Sequence, residues 1–505
     1  MPDATVRNLL TDPAWKKEDL GLPLPPVTHA VSVALPRWQD VIDYEEEHPR
    51  IAGALQAGYP RFFVHPLVAR LFAQATALHA GEGEGCLVFP SLVAAGRAAE
   101  YVRIRTSLPA RVVPFGRGHL QVLVFPETAR RTAREYWRYC GAIVSSRQAE
   151  RAMADGEMTD LEPAGSAARQ TLKERLAGLS GVPPEQVFLF PSGMAAMAAA
   201  HQLVTAARPG KPTVQLDFPY VDVLRVQQEF GSGVEFFPVA DAAAMARVAA
   251  LAAADRIAAV FAEVPSNPLL ACAPLDALSG QLRAAGVPLV LDDTVATVVN
   301  LDALAVADLV TTSLTKAFSG TGDVIAGALT VNPNSPWQAG FREKLAAAEA
   351  RQAWLCAEDA IVLEANSRDF VDRVRRMNTA AEALTGFLAA HPAVERVWYP
   401  ASPAAFGRMA RKGGGRGCLF SFVLRNESSA AAFYDAVRIS KGPSLGTNFT
   451  LCCPYTLLAH YQELEWAAAC GVPRHLLRVS AGLEDPQDLI GRFSQALDSA
   501  AAAGV

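Results

Sequence analysis

The chain has 505 residues, 51% of them hydrophobic and 19% charged, with a formal net charge of −5. That balance excludes extended disorder and leaves no basic footprint for nucleic acid. The length exceeds one simple core and implies two or three domains. No apolar run reaches the ~18–20 residues of a membrane helix. Residues 1–20 hold Asp3, Asp12, Glu18 and Asp19 where a secretory leader needs an apolar core, so the expected address is cytoplasmic, without a membrane.

Taken in order, residues 1–60 are rich in proline and read as an extended arm with a short helix over 38–47. The stretch 66–160 mixes helices with strands expected at 112–114 and 120–125, followed by an Arg/Glu-rich helix over 127–139. From 168 the pattern turns regular: helix 168–179, strand 186–190, helix 194–207, then strands at 213–216, 234–238, 258–263, 288–292 and 309–313. Such alternation predicts an α/β fold with a mostly parallel sheet and helices on both faces. A single long helix over about 336–370 is expected to bridge to a last α+β domain. The boundaries are drawn at 1–65 (arm), 66–160 (inserted α/β module), 161–371 (large domain) and 372–505 (C-terminal domain). The eight cysteines form no Cys-x-x-Cys pair and meet no histidine at zinc spacing. They read as free thiols, the adjacent Cys452 and Cys453 as packing, and no metal site is expected. Gly413–Gly417, among Arg408, Arg411, Lys412 and Arg416, reads as a mobile basic loop. It lies too late in the chain for the Gly-x-Gly-x-x-Gly turn of a nucleotide-binding dehydrogenase.

Three motifs carry chemistry. In Phe190-Pro191-Ser192-Gly193-Met194 a hydrophobic strand runs through a glycine turn into a helix, whose N-terminus suits a phosphate. Phe89-Pro90-Ser91 looks similar but continues as Leu92-Val93 without the glycine, and reads as packing. In Leu289-Val290-Leu291-Asp292 an acid ends an apolar strand, where an open α/β sheet binds ligands. A carboxylate there keeps a pyridine nitrogen protonated. In Ser313-Leu314-Thr315-Lys316 a lysine follows a strand directly, and desolvation would free its amine for imine formation. Ser313 and Thr315, two apart, are candidate phosphate donors. The following Gly320-Thr321-Gly322-Asp323 reads as a flexible turn. A Schiff-base lysine and an acid for a pyridine ring are what a pyridoxal 5'-phosphate (PLP) enzyme needs.

With these blocks the chain resembles the Cys/Met-metabolism enzymes of PLP fold type I, the aspartate-aminotransferase-like fold. Members include cystathionine γ-synthases, cystathionine lyases and O-acetylhomoserine sulfhydrylases. Glu263-Val264-Pro265-Ser266-Asn267-Pro268 and Arg478-Val479-Ser480-Ala481-Gly482-Leu483-Glu484 match two further family blocks. The likeness is nearest to the fungal type of cystathionine γ-synthase, through Gly58-Tyr59-Pro60-Arg61-Phe62-Phe63, Phe218-Pro219-Tyr220-Val221-Asp222 and the stretch from Lys441 to Thr450. The resemblance implies that Lys316 carries PLP and moves protons, that Asp292 pairs the pyridine nitrogen, and that Tyr220 stacks on the ring. It implies phosphate contacts from Ser192, Gly193, Met194, Ser313 and Thr315. It places Tyr59 and Arg61 in the neighbouring subunit's site, so that the active site forms only in a dimer, with a tetramer as the family norm. Asn267 would lie near the cofactor's phenolic oxygen, with Glu263 beside the substrate, and Arg478, helped by Ser444, would clamp the substrate carboxylate.

Three departures stand out. Asp293 replaces an asparagine, Tyr220-Val221-Asp222-Val223 replaces Tyr-Gly-Gly-Thr, and Phe449 replaces a glutamate that lies near the distal substrate amine in family synthases. The expected activity is γ-substitution on an O-acylhomoserine, most simply O-acetyl-L-homoserine, with cysteine giving cystathionine. Alternatives are a carbon or nitrogen nucleophile in secondary metabolism, a cystathionine lyase or O-acetylhomoserine sulfhydrylase, and a non-catalytic PLP-binding scaffold.

Overall fold

The structure, a computed structural model of the chain, describes residues 7–59, 61–116, 119–154, 159–352 and 354–503. Its centre is a seven-stranded sheet with Val187–Phe190 at one edge and Val234–Phe237 at the other. Thr213–Leu216, Val234–Phe237, Val260–Glu263, Leu289–Asp292 and Leu309–Ser313 run parallel. These strands are short apolar runs without polar alternation, because helices cover both faces. Successive residues still part to opposite sides. Phe261 and Val290 pack under the helix Gly193–Ala207, while Val260, Ala262, Leu289 and Leu291 pack on the other face. Sequence reading had missed the strand Gly327–Val331, which lies antiparallel to both Leu309–Ser313 and Val187–Phe190.

The expected long helix over 336–370 is three pieces: Gln338–Glu349, Ala357–Asn366, and Phe370–Ala390, which runs on into the C-terminal part. The apolar pattern continues through the breaks, which periodicity alone does not reveal. Beyond lies a five-stranded sheet, ordered Val394–Trp398, Leu419–Leu424, Leu477–Ser480, Leu451–Pro454, Ser440–Lys441. Phe420, Phe422, Phe433 and Phe493 are fully buried on it, each contributing roughly 1.5–3 kcal/mol. The arm joins this core through Val33, Leu35, Val41, Ile51 and Leu55. It therefore folds back on its own chain.

Residues 66–154 include a three-stranded antiparallel sheet with Gln121–Pro126 in the middle. Its first strand, Glu84–Phe89, was not anticipated. Ser91 caps the next helix by accepting from Ala94 N, so the Phe89-Pro90-Ser91 likeness is a shared capping turn. The module's helix Arg130–Cys140 leads to Gly141, which abuts the turn at Ser192.

Two expected mobile segments are pinned. Asn300 and Asn378 accept from Gly415 N and Gly417 N. Arg147 donates to the Asp323 carbonyl, and Asn366 to its carboxylate. All eight cysteines are free thiols, with Cys452 and Cys453 buried in their strand. Among the described residues no helix is long and apolar enough to cross a membrane, and no cluster of His, Cys, Asp or Glu is arranged to hold a metal.

Candidate active site

The C-terminal ends of the parallel strands open into a cavity, where an open α/β sheet binds its ligands. Tyr59, Arg61, Ser192, Gly193, Met194, Tyr220, Glu263, Asn267, Asp292, Ser313, Thr315, Lys316 and Arg478 all line it. Of the site residues expected from sequence, only Ser444 is outside the lining, and it touches Lys316.

Lys316 follows its strand in a turn, and its amine is buried. Nζ donates to Tyr59 Oη at 2.6 Å and to Ser444 Oγ at 3.2 Å. Burial pulls its pKa below the usual lysine range, with Arg478 and Arg61 adding to the effect against the pull of Tyr59. Burial opposes ionisation of Tyr59, but Lys316, Arg61 and Arg478 outweigh it and lower the phenol. The loop carrying Ser444 comes close because Gly446 has φ +70° and a Cβ there would fall 2.4 Å from Ala317 N.

Glu263 and Asp292 each end a strand and sit opposite one another in register. Glu263 accepts from Tyr220 N at 2.7 Å and from Asn267 N at 3.3 Å. Asp292 accepts from Thr294 N at 2.9 Å and from Thr311 Oγ1 at 3.3 Å. Burial, and for Glu263 the neighbouring Asp292, raises both carboxyls. Neither forms an ion pair among the described residues, and a protonated pyridine nitrogen fits beside such acids. Asp293 points elsewhere, to Thr312 Oγ1, and burial pushes it up to about 7.

On the opposite wall, the helix Gly193–Ala207 presents its first N–H groups, which its own ladder does not use. A Cβ on Gly193 would fall 2.7 Å from Ser313 Cβ, so only glycine lets these segments meet. Ser192 Oγ donates to Gly141 O at 2.7 Å, and Thr315 Oγ1 donates to Ala326 O at 3.2 Å. Both line the cavity together with Gly193, Met194, Ser313 and Arg61. A helix N-terminus with a buried guanidinium suits the PLP phosphate, and the two acids suit its ring.

Arg61 Nη2 donates to Tyr220 Oη at 2.7 Å, and Nη1 pairs with Asp222. Arg478 is 4% exposed. It donates to Pro443 O at 2.8 Å, Ser444 O at 3.2 Å and Asn267 Oδ1 at 3.2 Å, and lies over the Tyr455 ring. Within the one chain described, Tyr59 and Arg61 line the pocket. Phe449 packs beside Leu9, Leu24, Ala34 and Leu451 and is not among the residues that line the pocket. Glu484 likewise serves structure, accepting from Thr450 N and Oγ1.

Sequence reasoning gave no role to Tyr44, Phe62, Ile143, Val223, Tyr455 and Leu458, which also line the cavity. Phe62 and Val223 lie within quoted motifs, and no motif marks the other four. Their largely apolar side chains look like core until separate parts of the chain bring them together.

Residues 150–498 match the model of the Cys/Met metabolism PLP-dependent enzymes, and residues 67–145 match the N-terminal domain of fungal trans-sulfuration enzymes. The chain belongs to the Cys/Met-metabolism family of PLP-dependent enzymes. It is 32% identical to the cystathionine gamma-synthase of Neurospora crassa over 611 aligned positions, covering 95% of this chain and 98% of that protein. It is 33% identical to the L-2-amino-4-chloropent-4-enoate dechlorinase/desaturase of Streptantibioticus cattleyicolor over 498 positions, with the same two coverages, 95% and 98%. Among solved structures, the cystathionine gamma synthase of Xanthomonas oryzae pv. oryzae in complex with aminoacrylate and cysteine superposes with a TM-score of 0.59 at 26% identity. That match covers 69% of this chain and 90% of the other. The fold is therefore PLP fold type I, and this family member is a cystathionine γ-synthase-like enzyme using PLP.

Proposed function

We propose that the chain catalyses substitution at Cγ of an O-acylhomoserine, with O-acetyl-L-homoserine as first substrate and cysteine as nucleophile, giving cystathionine. The observation that carries this reading is the buried Lys316 amine, held between Tyr59 Oη and Ser444 Oγ in the cavity that Arg478 also lines. Arg478 grips the α-carboxylate and so turns Cα toward Lys316. PLP, when bound, supplies the electron sink that makes the Cα and Cβ protons removable. Asp292 pairs the ring nitrogen, Tyr220 stacks on the ring, and Asn267 stands by the phenolic oxygen. Gly193, Met194, Ser313, Tyr59 and Arg61 hold the phosphate end. Lys316, whose burial favours the neutral amine, takes the proton from Cα and then moves the Cβ proton. The γ-acyloxy group departs with its bonding pair, the nucleophile adds at Cγ, and Lys316 returns the protons. Tyr59 Oη receives the Lys316 proton or lends its own across their 2.6 Å contact. A dimer in which Tyr59 and Arg61 reach the neighbouring subunit's site, with a tetramer as the family norm, belongs to this reading. Cytoplasmic residence is part of the same reading.

One observation favours a second reading, in which an apolar group reacts at Cγ without a second amino acid. Among the described residues, the only carboxylates lining the cavity are Glu263 and Asp292, both already engaged at the sheet end. No further acid among them lines it to meet a cysteine amine, and Tyr44, Phe62, Ile143, Val223, Tyr455 and Leu458 are part of the wall. The compact alignment with the dechlorinase/desaturase, 498 positions against 611 for the fungal synthase, points the same way.

The test is a mass-spectrometric product assay on PLP-loaded enzyme given O-acetylhomoserine alone, then with cysteine, then with carbon and amine nucleophiles. Efficient cystathionine formation supports the first reading. Release of acetate without cystathionine, or adducts with other nucleophiles only, rejects it in favour of the second.

A further inference from the structure

Hydrogen bonds fix the Arg478 guanidinium within its own plane, since the N–H groups of this planar fork all point along it. The acceptors are Pro443 O at 2.8 Å, Ser444 O at 3.2 Å and Asn267 Oδ1 at 3.2 Å. In-plane bonds leave the face of the group without support, and a fork that tips loses its aim at a carboxylate. Among the described residues one ring meets that face. The guanidinium carbon lies 4.7 Å from the centre of the Tyr455 ring, within the range of a cation–π contact.

The backbone puts the ring there. Leu451–Pro454 and Leu477–Ser480 pair antiparallel, with Cys453 opposite Arg478. Tyr455 N donates to Leu476 O at 3.0 Å, so the ladder runs one residue past the strand, into the start of the helix Tyr455–His460. Tyr455 is therefore the diagonal neighbour of Arg478, at a separation that an aromatic ring and a long side chain can span.

The ring has little freedom to leave. Tyr455 is 2% exposed and packs in one cluster with Phe218, Cys453, Val472 and Leu476. Its ring centre is 5.9 Å from that of the buried His460. Its hydroxyl has no hydrogen-bond partner among the described residues. What the surroundings hold in place is thus the ring rather than the hydroxyl. Burial raises the phenol's pKa against the pull of Arg478, so the ring stays neutral and offers its negative face to the cation. Tyr455 and Arg478 both line the cavity.

We propose that Tyr455 is a positioning residue for the substrate carboxylate: its ring is the platform that keeps the Arg478 fork facing the cavity. This role rests on the reading that Arg478 grips that carboxylate. Tyr455 acts through Arg478, and its hydroxyl takes no part.

The experiment is a spectral titration of PLP-loaded enzyme with L-homoserine and with propanolamine, the amine that lacks its carboxylate. The proteins are the parent, Tyr455→Leu, Tyr455→Phe and Arg478→Lys. Tyr455→Leu should weaken L-homoserine about five- to thirtyfold, the worth of a cation–π contact between exposed and desolvated settings, and leave propanolamine unchanged. Tyr455→Phe, which keeps the ring, should recover most of that loss. Tyr455→Met, also without a ring, takes the place of the leucine variant if that one does not fold. Unchanged L-homoserine affinity without the ring would overturn the proposal. So would a parallel loss for propanolamine, which marks a merely structural role, and so would a phenylalanine variant as weak as the leucine one, which marks a role for the hydroxyl. Unchanged L-homoserine affinity in Arg478→Lys would instead remove the carboxylate reading itself, a failure separable from that of the platform.

Discussion

Replacing Arg478 by lysine keeps the charge but removes the planar fork. The guanidinium is 4% exposed and fixed by Pro443 O, Ser444 O and Asn267 Oδ1, so its direction is set before substrate arrives. A carboxylate bound by this fork takes two charge-assisted bonds, and lysine supplies one. Loss of one costs roughly 1.5–3 kcal/mol, or ~10–100-fold in affinity. The assay is a spectral titration of PLP-loaded enzyme with L-homoserine and with the amine that lacks its carboxylate. Arg478→Lys should weaken the amino acid by that factor and leave the amine unchanged. Equal affinities of the variant and the parent for the amino acid would refute the clamp. A parallel loss for the amine would mean that Arg478 only supports the loop.

Lys316→Ala should lower turnover at least ~10²–10⁴-fold, the usual worth of a positioned acid–base group, and abolish the visible absorbance of lysine-bound cofactor. Retention of full turnover in a rapid-quench assay would remove Lys316 from its role. A further expectation concerns stability. Lys441 is fully buried, with Nζ donating to Pro36 O at 3.0 Å and Asp435 O at 3.2 Å, and burial pulls it down from 10.5 to about 7. Below pH 7 it is protonated in both folded and unfolded states, and its burial cost is felt in full. From pH 7 to 10.5 the unfolded state holds the extra proton, so this group makes stability rise with pH by up to about 1.4 kcal/mol per unit. Urea unfolding of Lys441→Met at pH 7 and pH 10 should show that rise diminished relative to the parent. An identical pH dependence in both proteins would reject the lowered pKa.

Local signals in the chain were enough for the α/β pattern, the phosphate turn and the two central residues. Strands such as Thr213–Leu216 and Leu309–Ser313 begin and end where their apolar runs do. Lys316, Asp292 and Gly193 were legible because each sits at a strand end, where backbone geometry alone sends the next residue into the crevice. The partners of Ser192 and Thr315 were not legible, because a hydroxyl has one proton and only folded neighbours such as Gly141 O and Ala326 O decide where it goes. The same holds for Phe449, whose spacing from Ser444 matched a family position while its side chain turned into the arm's core. Sequence by itself determined which chemistry the chain carries, since a lysine, an acid and a glycine turn at strand ends are local features. Tertiary structure alone decided what surrounds that chemistry, because Tyr44, Ile143 and Tyr455 meet it across long stretches of chain through contacts that no local pattern encodes.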